Sequence, residues 1–302
     1  MGFRLASLVF GMIQGLLFGH WGGYATAWLQ AKRGSRPDFK PPFVLMSHAW
    51  KQPFSLSMTA TAWIIYNAVA LHVVADLSAE LRRIAANSSE MRLASELFLA
   101  THLWWCFSGA CLLATPVDFS ALSRGLHYLA AAGCGYGQLA HCYVAAFYVD
   151  PALAACAHAS GYMAPGDVKL RQAMFYVATA ICVAITILSV PNNFGPWENK
   201  FAWPIVVGEL ICCCIPPLVP VTYHIVLCSL DQREPTFPML TDRFLSPLGD
   251  LLSQSTWLGL LAPSLILGIL ILRWYRYSNH DTQEEEQFAW CSSPSRRSLH
   301  EE

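Results

Sequence analysis

The chain has 302 residues, 55% of them hydrophobic and only 13% charged, where ordinary soluble domains carry about a quarter charged residues. Lysine plus arginine nearly match aspartate plus glutamate, 19 against 20, which argues against nucleic-acid binding. The charges are also segregated, and this excludes a soluble enzyme, a secreted disulfide scaffold and a disordered chain.

Seven windows carry no charge: Leu5–Ala31, Gln52–Ala75, Leu97–Val117, Gly125–Val149, Gln172–Trp197, Leu210–Leu230 and Leu251–Leu272. Each exceeds the length of about 20 residues with which a helix crosses the hydrocarbon core of a bilayer. The fold expected is therefore all-α, a polytopic transmembrane helical bundle over residues 1–277. A polar, disordered tail is expected over 278–302, with Glu284-Glu285-Glu286 and a Ser/Pro/Arg cluster.

Span 1 is expected at about 5–29, as a retained anchor. A cleaved signal peptide is its alternative, given the basic start at Arg4 and Ala25-Thr26-Ala27, but the apolar run is long for that. Spans 2 to 5 follow at about 55–77, 93–115, 125–149 and 171–190, with spans 6 and 7 at about 203–230 and 253–273. Asp150–Gly166 is apolar too, but Pro151, Gly161, Pro165 and Gly166 interrupt it, so a re-entrant or interfacial loop is expected there. In span 4, Gly133-x-x-x-Gly137 has the spacing of a helix-packing surface. In span 6, Pro216, Pro217 and Pro220 each remove a backbone donor, which predicts a kink or break.

Sidedness is weakly determined. The first loop holds Lys32, Arg33, Arg36, Lys40 and Lys51, which leans toward an external N-terminus and a cytoplasmic tail. The sequon at Asn87 and the Arg296-Arg297-Ser298 run agree with that lean. Nine of the eleven cysteines lie inside spans and no Cys-x-x-Cys occurs, so they read as small apolar filler. Trp50, Trp104, Trp105, Trp197 and Trp203 read as interfacial or packing aromatics.

Ionisable side chains at membrane depth are the candidate functional residues. Glu209 lies about two turns into span 6. With adjacent spans antiparallel, His72, His102, His141 and His224 fall in one layer, toward the side that carries Arg82, Arg83 and Arg233. Converging imidazoles would bind zinc and activate a water, although no span shows a His-x-x-x-His pair. His127 and His141 are spaced for two haems, but His127 lacks a partner at its own depth. The sequence assigns no catalytic residue, no metal ligand and no cofactor. Seven helices also suit a G-protein-coupled receptor, but neither an acidic-Arg-aromatic triplet after span 3 nor Asn-Pro-x-x-Tyr in span 7 is present.

From span 4 onward the sequence resembles the Frag/DRAM/Sfk superfamily of polytopic eukaryotic membrane proteins. The resemblance runs through His127, Gly135-Tyr136-Gly137, Cys142, a polar loop, Lys169-Leu170-Arg171 opening span 5, and the acid Glu209 in span 6. It covers roughly residues 45–235 in the order and spacing of spans 2 to 6. It departs at Met46-Ser47-His48-Ala49-Trp50, where members carry a Ser-Asp-Thr-Gly-like segment, and at span 7, an additional C-terminal helix beyond a six-span core. The superfamily includes members that remodel GPI anchors or modulate autophagy. The resemblance implies a non-enzymatic protein of endomembranes (ER, Golgi or lysosome) or of the plasma membrane. Its role would be to modulate lipid handling or trafficking, with membrane lipids and other membrane proteins as partners. A small-solute or lipid transporter using the broken span 6, and an intramembrane metal-dependent hydrolase, are the alternatives.

Overall fold

The computed structural model describes residues 2–32, 50, 53–115, 121–156, 159–193 and 200–233. Span 7 at 253–273 and the tail at 278–302 lie outside the described residues. Helix α1 (Phe3–Ile13) runs through a π-helical stretch (Gln14–Trp21) into α2 (Gly22–Lys32). Helices α3 (Pro53–Ile84), α4 (Ser89–Ala114) and α5 (Ala121–Val144) follow, and a second π-helical stretch (Ala145–Val149) leads into α6 (Asp150–Ala155). Helix α7 is Pro165–Asn193, and the remaining helices are α8 (Ala202–Cys212), α9 (Ile215–Val221) and α10 (His224–Arg233). No strand occurs among the described residues. Among the described residues four helices are long and apolar enough to cross a membrane, at Ser55–Ile84, Ser89–Ala114, Pro165–Asn192 and Ala202–Val221, which is compatible with an integral membrane protein.

The helices meet along seams that their sequences set. On α4 the buried residues Met91, Ser95, Phe98, His102, Trp105, Gly109 and Leu113 recur every three or four positions, which is one face of a helix. The Ser88 hydroxyl starts this helix by accepting from the Met91 N–H at 3.1 Å. Helix α5 lies against that face because Gly133 and Gly137 leave room for it. A Cβ on Gly137 would stand 3.0 Å from the Trp105 Cα and backbone N, and one on Gly133 would stand 2.7 Å from Ser108 Oγ. Gly109 makes room in the other direction, for the Trp63 indole of α3.

A longer glycine groove binds the first helical run to α3. Gly11, Gly15, Gly19 and Gly23 repeat every fourth residue and face Val69, Tyr66, Ala62 and Thr59 in turn. With the backbones this close, Ser55 Oγ donates to the Gly23 carbonyl and Thr59 Oγ1 to the Gly19 carbonyl, both at 2.8 Å. The two runs are antiparallel, because the facing residue number falls along α3 as it rises along the glycines.

Span 6 is broken twice, at turns over 213–214 and 222–223. Pro216, Pro217 and Pro220 have no N–H to return to the preceding turn, so the ladder cannot run through. The segment 150–166, expected as a re-entrant or interfacial loop, is helical in part. The helix continues to Ala155 before a turn at Ser160–Tyr162, because the π-helical stretch just upstream absorbs Pro151 at the first turn of α6.

Candidate functional site

Two polar centres sit within this bundle. The first is an ionic layer that gathers the end of α3, the start of α7, the end of α10 and the start of α1. Arg4 Nε bonds Asp76 Oδ2 at 3.0 Å, and its Nη1 bonds Asp231 Oδ1 at 3.1 Å. The Asp231 carboxylate also accepts from the Arg4 backbone N–H, so it caps α1 from the far end of the described chain. Glu80, buried in α3, is held by Arg83 in a two-toothed pair with both bonds at 2.7 Å, and also by Arg233 of α10.

Beside it lies a further ion pair, more deeply enclosed. Arg171 opens its fork onto Asp150, with Nε–Oδ2 at 2.9 Å and Nη2–Oδ1 at 2.8 Å, and both side chains are buried. Arg171 Nη1 donates to the Thr222 carbonyl at 3.1 Å and to Thr222 Oγ1 at 2.9 Å. That carbonyl belongs to the second break in span 6. The Tyr223 ring lies 4.1 Å beneath the guanidinium, and its hydroxyl donates to Asp150 Oδ1 at 3.2 Å and to the Ala145 carbonyl at 3.3 Å. Each nitrogen of the Arg171 guanidinium thus has an acceptor, which is the condition under which a charge can be enclosed.

The second centre is a column of rings that runs inward from this pair. Tyr223 meets Phe98 at 5.8 Å between centroids, Phe98 meets His141 at 4.5 Å, and His141 meets His102 at 4.9 Å. His102 then meets Trp105 at 5.6 Å, Trp105 meets Trp63 at 4.9 Å, and Trp63 meets His20 at 5.6 Å. At its inner end Gly15, His20, Trp63, Tyr66, Trp105, Cys213 and Pro217 line a cavity of about 10 Å³, the room of roughly one water. Both ring nitrogens of His102, His141 Nε2, His20 Nδ1, Trp63 Nε1 and Tyr66 Oη are buried without a hydrogen-bond partner among the described residues.

The candidate histidines therefore divide. His102 and His141 come together in the column, and His141 Nδ1 reaches Thr101 Oγ1 at 3.3 Å. His72 is instead 3.7 Å from Asp76, and His224 is 3.4 Å from Asp167, both at the ionic layer. Among the described residues no three His, Cys, Asp or Glu side chains gather as a metal would need. His127 turns to the Thr115 carbonyl, at 2.8 Å. Glu209 is half-buried on α8, one turn before the break at Cys213, and lies outside the cavity lining. Pro217 lines the cavity and Pro216 and Pro220 are buried in α9.

Sequence reasoning passed over His20, Arg4, Asp150 and Arg171. A lone histidine within the charge-free window Leu5–Ala31 was the available signal for His20. The other three terminate windows, and so read as boundaries rather than as partners. Comparison with protein-family models, with curated proteins and with solved structures finds no match.

Proposed function

We propose that the chain is a non-enzymatic, multi-pass integral membrane protein of endomembranes or plasma membrane, with seven spans, that passes a small solute through the interior beside its broken sixth span. One observation carries this reading. A small cavity within the bundle is lined by Cys213 and Pro217, at the first break of span 6. Interrupted helices are the usual way for a membrane protein to present polar groups at depth. The ionic layer at one end of the bundle then acts as a closed gate, with Arg4, Asp76 and Asp231 tying the first and last described helices together.

The test uses native thiols. In the full-length protein reconstituted in lipid, Cys213 reacts with a small neutral thiol reagent at least about tenfold faster than Cys142, which is buried between helices. Equal, slow reaction of both thiols sinks the reading.

The exposed basic residues Arg82, Arg83, Arg92, Lys169 and Arg233 favour a second reading, the lipid handling or trafficking role that the Frag/DRAM/Sfk resemblance implies. Basic side chains at a membrane boundary attract anionic headgroups, at about 1 kcal/mol each near the surface. Replacing Arg82, Arg92 and Lys169 by Gln weakens retention of anionic lipid by the purified protein if this reading holds, and leaves it unchanged if it does not.

A further inference from the structure

Helix α10 is the last piece of the broken span, and the bundle holds it differently from the pieces before it. Six of the eleven residues of α8 and five of the seven of α9 are buried, but only Val226 and Leu227 of the ten in α10. The apolar segment of crossing length ends at Val221, so α10 lies past it, beside the ionic layer. Apolar burial therefore does little to keep α10 in place. Polar ties supply the rest. Asp231 holds Arg4 of α1, and Arg233 holds Glu80 of α3 and reaches the Tyr162 hydroxyl at 3.3 Å. His224 stands 3.4 Å from Asp167 of α7. Gly2 leaves room for the Asp231 carboxylate, which a Cβ at that position would strike.

We propose that α10 is a hinged lid at the ionic end of the bundle, pivoting at Thr222–Tyr223 and latched by Asp231 and Arg233. The proposal rests on the reading of the broken span as a solute path, and it names the part of the closed gate that moves.

The backbone is interrupted where a pivot is needed. Pro220 has no N–H, and the Thr222 N–H is shared between the Leu218 and Val219 carbonyls at 3.2 and 3.1 Å. The Tyr223 N–H reaches back only three residues, to Pro220 at 3.1 Å, whereas the Leu227 N–H returns four residues to Tyr223 at 3.0 Å. A fresh helix thus starts at the pivot, and turning it breaks none of the bonds inside α10. Hinges are commonly a few residues at the end of an element. Arg171 fixes the near side of this one, because it grips the Thr222 carbonyl and hydroxyl above the Tyr223 ring.

The charges are doubled on the side that stays. Arg4 bonds Asp76 as well as Asp231, and Glu80 bonds Arg83 as well as Arg233. Opening hands Asp231 and Arg233 to water, yet Arg4 keeps Asp76 and Glu80 keeps Arg83. Breaking an ion pair is costly chiefly when it strands a buried charge, and here neither is stranded. The Arg171–Asp150 pair at the pivot has both members buried, and it remains closed. The latch is therefore made of ties that can part, and the pivot of ties that cannot.

The test uses full-length protein in lipid nanodiscs, with spin labels on bio-orthogonal residues and distances read by pulsed electron paramagnetic resonance. One pair replaces Gln232 on α10 and Glu90 at the start of α4, both exposed. A second pair, at Glu90 and the exposed Lys169 of α7, reports the bundle alone. The latched protein is expected to give mainly one narrow distance between 90 and 232. Arg233→Gln with Asp231→Asn should raise a second, longer and equally narrow distance to at least about five times its native population, with the 90–169 distance unchanged. Arg233→Gln alone should produce part of that shift, and it stands in for a double variant that fails to fold. A 90–232 distribution that neither variant alters overturns the lid. A broad smear overturns it too, because α10 then unravels instead of turning. Opening without faster thiol reaction at Cys213 keeps the lid and rejects the path, whereas fast reaction at Cys213 with α10 fixed keeps the path and rejects the lid.

Discussion

Arg171 is a buried charge with Asp150, Thr222 and the Tyr223 ring all on its guanidinium. Removing one member of an enclosed pair leaves the other without a counter-charge, which costs about 3–5 kcal/mol. Arg171→Ala should therefore lower the unfolding midpoint in detergent sharply. The paired change Arg171→Met with Asp150→Leu should restore much of the loss, and thermal unfolding followed by circular dichroism reads both. If the single and double variants are equally destabilised, the pair contributes through packing and not through its charges. At this scale the sequence was only half legible. The residue types were plain, since each charge interrupts an apolar window, but the pairing was not. Arg171 and Asp150 are 21 positions apart and Arg4 and Asp231 are 227 apart, and nothing local in the chain announces which cation finds which anion.

At the level of helices, small residues decide which faces meet. Gly133 and Gly137 stood out in the sequence because their spacing is that of a helix contact, and they lie against Ser108 and Trp105. The repeat Gly11, Gly15, Gly19, Gly23 carries the same spacing three times over, yet the expectation for span 1 concerns only cleavage or retention. Gly19→Val should push α3 away at Ala62 and Thr59 and cost about 1–3 kcal/mol of stability through overpacking. Gly125→Ala, where a Cβ meets nothing within 4 Å, should be neutral or slightly stabilising, so the two variants together separate packing from helix propensity in one unfolding assay. The π-helical stretches were not legible at all. An extra residue in a helical turn is tolerated only when neighbours take up the carbonyls it frees, as Thr59 does at Gly19 and Tyr223 at Ala145. That depends on tertiary partners, not on local propensity. Of the two breaks in span 6, a break near the prolines was legible because a missing N–H is a property of proline wherever it stands, whereas the turn at 222–223 has no proline of its own.

Across the whole molecule, the all-helical class followed from the spacing of charges, whereas the number of spans needs an experiment. Tags at the two termini should be accessible from opposite sides of sealed vesicles if seven helices cross, and from the same side if six do. Protease protection of both tags reads this directly. The ionic layer has a further consequence for how the protein is made. Asp231, a carboxylate partner of Arg4, is synthesised 227 positions after it. At synthesis rates of about 5–20 residues per second, roughly 10–45 s pass before that partner exists. During that interval Arg4 lacks its bonds to Asp231, so the first helix is held without this tie until α10 has been made. A ribosome pause between the fifth and sixth spans should thus yield a protease-sensitive intermediate, and substituting Asp231 should make that sensitivity permanent.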